Sequence, residues 1–195
     1  MRRACVGGLD DGFFRRGWSS TIAALAVMCW RGSVLCPSHV LLGRLTVDGL
    51  DATPVASMLA RRALEEGYEL GALLLDTVVF AGFNVLDPAL LHAETGVPVV
   101  VVYWYPPRRE AVERALRLHF RDWRERLGIL EAVWSRLRRV ECPRGGLLVA
   151  PYGMGYGEAW RLVCRLQLYT RAPEPLYLAH VAASGLSRSL LGAAP

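Results

Sequence analysis

A short apolar strand that runs straight into two adjacent carboxylates, "CVGGLDDGFF" at residues 5–14, limits the possible folds more than any other feature of this chain. Residues 4–9 read as a strand built for burial, yet aspartate is disfavoured inside strands. Burying a carboxylate is costly unless something compensates its charge. Asp11-Gly12 is a turn signal in its own right, which accounts for one acid and leaves Asp10 unexplained.

The remaining segments indicate what surrounds that strand. "STIAALAVMCW" and "VLCPSHVLLGRLTV" are apolar and β-prone on either side of Gly32, which predicts a hairpin. "TPVASMLARRALEEG" predicts a helix, with Thr53 as N-cap, Pro54 in its first turn and Gly67 as its stop. "ELGALLLD" is a short buried strand closed by Asp76, and "DPALLHAETG" is a helix that Asp87 caps and Gly96 ends. "PVVVVYW" is nearly all β-branched, as in a strand covered on both faces. Pro106-Pro107 opens a long helical stretch with an apolar stripe through Val112, Leu116, Phe120, Trp123, Leu127 and Leu130. "GGLLVAP" reads as another strand, followed by helices over "EAWRLVCRLQLY" and "PEPLYLAHVAASGL". The expected fold is α/β: a mixed sheet, its first three strands antiparallel and the later ones parallel, flanked by helices in one domain over residues 1–195.

Composition narrows the function classes. Hydrophobic residues make up 53% of the 195, enough for a real core, and no apolar run approaches the ~20 residues of a membrane span. With no signal-peptide pattern at the N-terminus, the chain reads as soluble and cytoplasmic, without a membrane partner. All 23 basic residues are arginine and the net charge is +5, which excludes Schiff-base lysines and the P-loop lysine. Arginine suits phosphate because its planar fork grips two oxygens, although codon usage or a hot habitat explains the same bias. Asn84 and Gln167 are the only side-chain amides, which also fits a thermophile. The five cysteines form no CxxC pair, so a structural zinc site is not expected and buried free thiols are the default. If Gly32-Ser33 makes the hairpin turn, Cys29 and Cys36 face each other, and a cross-strand disulfide between them becomes a hypothesis.

The acids fall at element ends. In a sheet where the fourth strand lies parallel beside the first, Asp76 comes close to Asp10, and Asp51, at the head of the first helix, can reach the same edge. Converging carboxylates repel each other unless a cation sits between them. Mg²⁺ takes oxygen ligands, keeps several waters and is bound by a few carboxylates together with substrate phosphate. Such ions serve phosphodiester cleavage. The plainer alternative for Asp51 is a helix-entry residue facing the helix dipole.

"GGLDDGFF", "VDGLDAT", "LLLDTVVFAGFNVLD" and "ALRLHFRDW", in this order, resemble the archaeal endonuclease dU-like proteins, uncharacterised protein family 0215, which are similar to endonuclease V. "PEPLYLAHVAAS" resembles the Pro-Glu-Pro entry to the last helix of endonuclease V, so the resemblance spans nearly the whole chain. It implies a ribonuclease H-like fold and Mg²⁺-dependent (or Mn²⁺-dependent) nicking of DNA that carries a deaminated base, deoxyuridine or deoxyinosine. It implies that Asp10, Asp51 and Asp76 are metal ligands and that His180 is a further active-site residue. Departures are clear. The lysine that follows the fifth strand in endonuclease V is missing, with Trp104 or Tyr105 in its place, and the Pro-Tyr-Ile-Pro type wedge is absent. Tyr177 stands where arginine is common.

Enzymes that act on a damaged base extrude it into a pocket. "FAGFN" directly follows the Asp76 strand, so Phe80, Gly82, Phe83 and Asn84 are the expected base pocket, with core packing and a turn as the alternative. Arg108 and Arg109 are candidate phosphate contacts. "PYGMGYGEAW" could seat a phosphate at a helix N-terminus, but it lacks the full dinucleotide spacing and reads as a glycine turn. The competing functional class is a non-catalytic nucleic-acid or nucleotide-binding module on the same fold.

Overall fold

The computed structural model describes residues 3–191. The chain runs β1 (Arg3–Asp11), β2 (Ser20–Arg31), β3 (Val34–Thr46), α1 (Ala52–Glu65), β4 (Tyr68–Asp76), β5 (Val79–Phe80), β6 (Asn84–Val85), α2 (Pro88–Thr95) and β7 (Val99–Tyr103). It continues through α3 (Arg109–His119), α4 (Trp123–Arg136), β8 (Arg138–Val140), β9 (Leu147–Tyr152), α5 (Tyr156–Leu166) and α6 (Glu174–Leu186), which ends in a π-helical turn, Ser187–Leu191.

Seven strands form one sheet in the order β3-β2-β1-β4-β7-β9-β8, and β5 and β6 make a small separate ribbon. β1, β2 and β3 pair antiparallel, as the hairpin signals predict. β4 is parallel to β1 and β7 to β4. The expected run of parallel strands stops there, because β9 pairs antiparallel with both β7 and β8. The chain returns from β7 through α3 and α4, and the strand it then enters in parallel sense is the three-residue β8. Residues 141–146 then fold β9 back between β8 and β7. "RRV" is too short and too polar to read as a strand from sequence.

Alternation along the central strands divides the core in two. Leu73, Leu75, Val99 and Val101 pack on one face with Leu59 and Ala60 of α1 and Leu130 and Val133 of α4. Leu74, Val100 and Val102 pack on the other with Val163 of α5 and Leu176 of α6. Strands covered on both faces are continuously apolar for this reason. Among the described residues no helix is long and apolar enough to cross a membrane.

Three local expectations are corrected. Asp51, not Thr53, is the N-cap of α1, and the Thr53 hydroxyl instead accepts the Asp87 N–H at 2.9 Å. The arginine-rich stretch breaks into α3 and α4 at residues 120–122. The cysteines are mostly oxidised: Cys5 bonds Cys29 and Cys142 bonds Cys164, which leaves Cys36 as the free cysteine among the described residues. Cys29 is in fact opposite Cys36 in the β2–β3 register, but it is also opposite Cys5 on β1, and the Cys5 pairing has Cα atoms only 4.0 Å apart. In an antiparallel ladder directly opposed residues alternate between narrow and wide pairs, and the narrow one brings side chains closest. The caps of α2 are as predicted, with the Asp87 carboxylate accepting the Ala89 and Leu90 N–H groups and Gly96 in the left-handed conformation, φ 69°.

Candidate active site

The glycines around Asp10 explain how the site is assembled. Gly8, Asp10 and Gly12 share one face of β1, because side chains alternate along a strand. α6 lies against that face. A Cβ on Gly8 would come within 2.2 Å of the Pro175 backbone, and one on Gly12 within 2.5 Å of the Ala183 carbonyl oxygen. Only bare backbone at both positions lets the helix approach so closely. The buried Ser187 fixes its end: its Oγ lies 3.0 Å from Thr21 Oγ1 and accepts the Ile22 N–H. The result is that His180 Nδ1 sits 2.9 Å from Asp10 Oδ2.

Asp76 arrives from the next strand. Leu9 and Leu75 are partners in the parallel β1–β4 register, so Asp10 and Asp76 follow side by side at the strand ends. The Trp104 indole N–H donates to Asp76 Oδ1 at 2.9 Å. Asp11 points to the opposite face and accepts the Ala81 N–H at 2.7 Å. A cleft of about 380 Å³ is lined by these three acids together with Phe13, Trp104 and His180.

These acids are held out of water beside one another. Asp10 is only 5% exposed. Its pKa is pushed up to about 9, first by burial and then by the charges of Asp76 and Asp11, against the pull of the Asp11 N–H. Burial likewise lifts Asp11 to about 6, opposed by the Ala81 N–H. Asp76 is also raised by burial, with the Trp104 hydrogen bond acting the other way. Carboxylates in this condition favour a cation among them.

The donors test which cation fits. All are carboxylate oxygens, the choice of hard ions such as Mg²⁺ and Mn²⁺. Among the described residues no group of three or more His, Cys, Asp or Glu side chains is arranged to hold a metal.

Asp51 is not among the residues that line this cleft. Its carboxylate accepts the Thr46 hydroxyl at 2.7 Å, the Thr46 N–H and the Asn84 amide, and these hydrogen bonds outweigh desolvation and lower its pKa. Asn84, fully buried, also donates to the Thr46 carbonyl and accepts the Ala52 N–H. Phe80 is 1% exposed within the core. Phe83 packs edge-on against Phe120 at 5.6 Å. Gly82, at φ 86°, lies where a Cβ would be 2.3 Å from Asp48 Oδ1. Asn84 and the Phe83 N–H therefore tie the loop after β4 to residues 46–52, and Phe80 and Asn84 present no face to a ligand. Arg108 and Arg109 are exposed at the start of α3, outside the cleft, and Arg109 donates to the Trp134 carbonyl.

Three non-glycine residues in loops beyond these strand ends have left-handed backbone: Asp48 (φ 58°), Thr77 (φ 63°) and Ala81 (φ 43°). For a β-branched residue such as Thr77, next to Asp76, this is a strained conformation of the kind that concentrates at functional sites.

Other residues escaped the sequence reading. Phe13 lines the acid cleft, with the Arg188 and Arg15 guanidinium groups 4.8 and 5.8 Å from its ring. The "FFRR" after the acid pair was the available signal. Arg126 is buried and donates to the carbonyls of Gly49 and Phe83, so it serves the loop rather than a phosphate. At the glycine turn, Glu158 accepts the Gly155 N–H at 2.8 Å, which places a carboxylate of the chain itself at the N-terminus of α5.

Comparison with known proteins finds relatives over nearly the whole chain. A family model described as endonuclease dU matches residues 2–187. A UPF0215 protein of Aeropyrum pernix is 35% identical over 187 residues, covering 94% of this chain and 98% of its own. One from Pyrococcus furiosus is 32% identical over 192 residues, covering 96% of this chain and 94% of its own. Among solved structures, a protein of unknown function from Archaeoglobus fulgidus superimposes with a TM-score of 0.75 at 26% identity, covering 95% of this chain and 98% of that one. Human endonuclease V superimposes with a TM-score of 0.63 at 16% identity, covering 96% and 85%. A Ciona intestinalis endonuclease V bound to a 24mer DNA containing an inosine gives 0.56 at 14% identity, covering 96% and 85%. At such identities these likenesses establish the fold, the ribonuclease H-like mixed sheet with flanking helices.

Proposed function

The chain belongs to the endonuclease dU family, and from that premise we propose that it is a metal-dependent endonuclease that nicks DNA at a deaminated base, deoxyuridine or deoxyinosine. The observation that carries this reading is the side-by-side placement of Asp10 and Asp76 at the strand ends, buried and with His180 on Asp10. Asp10 and Asp76 would hold Mg²⁺ or Mn²⁺, with Asp11 the nearest additional carboxylate. Asp51 is not carried forward as a ligand, because Thr46 and Asn84 already satisfy it. When bound, the ion neutralises the acids, polarises the scissile phosphate and activates water.

The protein's own groups orient this site. The Asp11 N–H and His180 hold the two oxygens of Asp10, and Trp104 holds Asp76, so neither carboxylate has to reorganise when charge arrives. His180, with Nδ1 on Asp10 Oδ2, would keep or release a proton beside a bound phosphate. Arg15 and Arg188, whose guanidinium groups lie 5.8 and 4.8 Å from the ring of the cleft-lining Phe13, would offer the forked donors that phosphate favours.

The test is a set of end-labelled oligonucleotides carrying uracil or hypoxanthine, incubated with Mg²⁺ or Mn²⁺. Wild type nicks beside the altered base, and Asp10→Asn and Asp76→Asn each lose about 10²–10³-fold in rate. The second reading, a non-catalytic binding module, is favoured by the absence of a lysine after β7. Metal-independent binding of these oligonucleotides with no nicking would establish it.

A further inference from the structure

We propose that a second, apolar pocket next to the acid cleft seats an unstacked nucleobase, whose phosphate then reaches the acids. This rests on the nuclease reading of the cleft and names a base-binding subsite for it. The pocket has a volume of about 190 Å³ and is lined by Asp76, Trp104, Ala172, Leu176, Tyr177 and His180. Asp76, Trp104 and His180 also line the acid cleft, so the two cavities are neighbours that share a wall. Trp104 is that wall. Its indole N–H is committed to Asp76 and its ring borders the apolar side.

Trp104 is held before any ligand arrives. Its carbonyl accepts a hydrogen bond from Arg171 at 2.7 Å, and Arg171 also donates to the Gly146 carbonyl. The same guanidinium lies 6.0 Å from the Trp104 ring and 5.2 Å from that of Tyr105. A fixed aromatic surface loses little freedom on stacking, which favours affinity. Tyr177, one helical turn before His180 and 50% exposed, also lines this pocket. Leu176 and Ala172 add apolar surface to the lining.

The chemistry selects a base over a phosphate. Arg171 is occupied by backbone carbonyls, so its guanidinium is not free for a phosphate in this pocket. Apolar space bordered by Trp104 and Tyr177 suits the π-face of a nucleobase, and such stacking tolerates any base. The order along a strand then follows: sugar and phosphate lie toward Asp10 and Asp76, and the base lies against Trp104.

The Trp104 indole N–H is a direct reporter. Wild-type protein labelled with ¹⁵N on its tryptophans is titrated with deoxyuridine monophosphate and, separately, with deoxyribose 5-phosphate, each with and without Mg²⁺, and Trp104→Phe assigns the signal. The nucleotide is expected to shift that signal saturably, with the base-free sugar phosphate at least about tenfold weaker. Tyr177→Ala weakens the nucleotide by about tenfold and Tyr177→Phe restores it. Equal response to both ligands, no response to either, or an unaffected Tyr177→Ala overturns the pocket. Loss of nicking in Asp10→Asn alongside any of those results removes the pocket and leaves the nuclease reading standing. Base-dependent shifts alongside undiminished nicking by Asp10→Asn and Asp76→Asn do the reverse.

Discussion

Asp10 and Asp51 are the same residue type near the same end of one sheet, and their surroundings are opposite. Asp51 receives donors from Thr46 and Asn84, and its pKa is lowered. Asp10 is buried beside two other carboxylates, and its pKa is pushed up to about 9. One acid is satisfied by the protein and acts as part of the framework. The other is left in need of positive charge. The difference teaches that sequence position at a strand or helix end nominates a ligand, while the count of donors around the carboxylate decides whether it is available.

The largest expected effect separates the two acids by activity. Asp10→Ala removes nicking by about 10²–10³-fold. Asp51→Ala instead leaves the buried Asn84 amide short of an acceptor and destabilises the fold by about 1–3 kcal/mol, with nicking per folded molecule retained. Denaturant titration and single-turnover rates on both variants measure this, and a reversal of the two patterns would break the comparison.

Next comes the packing that delivers His180. Gly8→Ala puts a Cβ into the Pro175 carbonyl and forces α6 away from β1. We expect a stability loss of about 1–3 kcal/mol and a slower nick, because His180 moves with the helix. A Gly8→Ala protein as stable and active as wild type would contradict the close approach.

The pH dependence sharpens the contrast further. Asp10 has a folded-state pKa above its unfolded value, so the folded state binds the proton more tightly. The metal-free protein should therefore lose stability as pH rises between 3.8 and about 9. Asp51, lowered, contributes stability above the ordinary carboxylate value and loses it as pH falls below that. Thermal melts across pH should show this decline between pH 3.8 and about 9 in wild type, and a flatter profile in Asp10→Asn or with millimolar Mg²⁺. The smallest effect distinguishes arginines: Arg188→Ala weakens DNA binding and lowers its salt slope by about one, while Arg109→Ala does neither.

The fold was legible where local signals and burial agreed. The two-sided apolar strand at residues 99–103, the Asp87 cap and the Gly96 stop all follow from single-residue physics. The Asp10–Asp76 juxtaposition followed from one parallel pairing, and the His180 assignment from the family resemblance. What failed depended on choices between partners that spacing does not reveal. Cys29 has a cysteine opposite it on each side, and only the sheet decides which one it bonds. The hydrogen bond between Asp51 and Asn84 joins residues 33 apart in sequence, and no spacing announces it. The role of Gly8 and Gly12 requires knowing that a helix 160 or more residues later in sequence packs onto them.

Calorimetric titration of Mg²⁺ into wild type, Asp10→Asn and Asp51→Asn tests most directly whether buried acids at this sheet edge are kept for a divalent cation. The expected result is binding by wild type and by Asp51→Asn, and none by Asp10→Asn. No heat of binding in wild type, or a loss of binding in Asp51→Asn with Asp10→Asn unaffected, contradicts it.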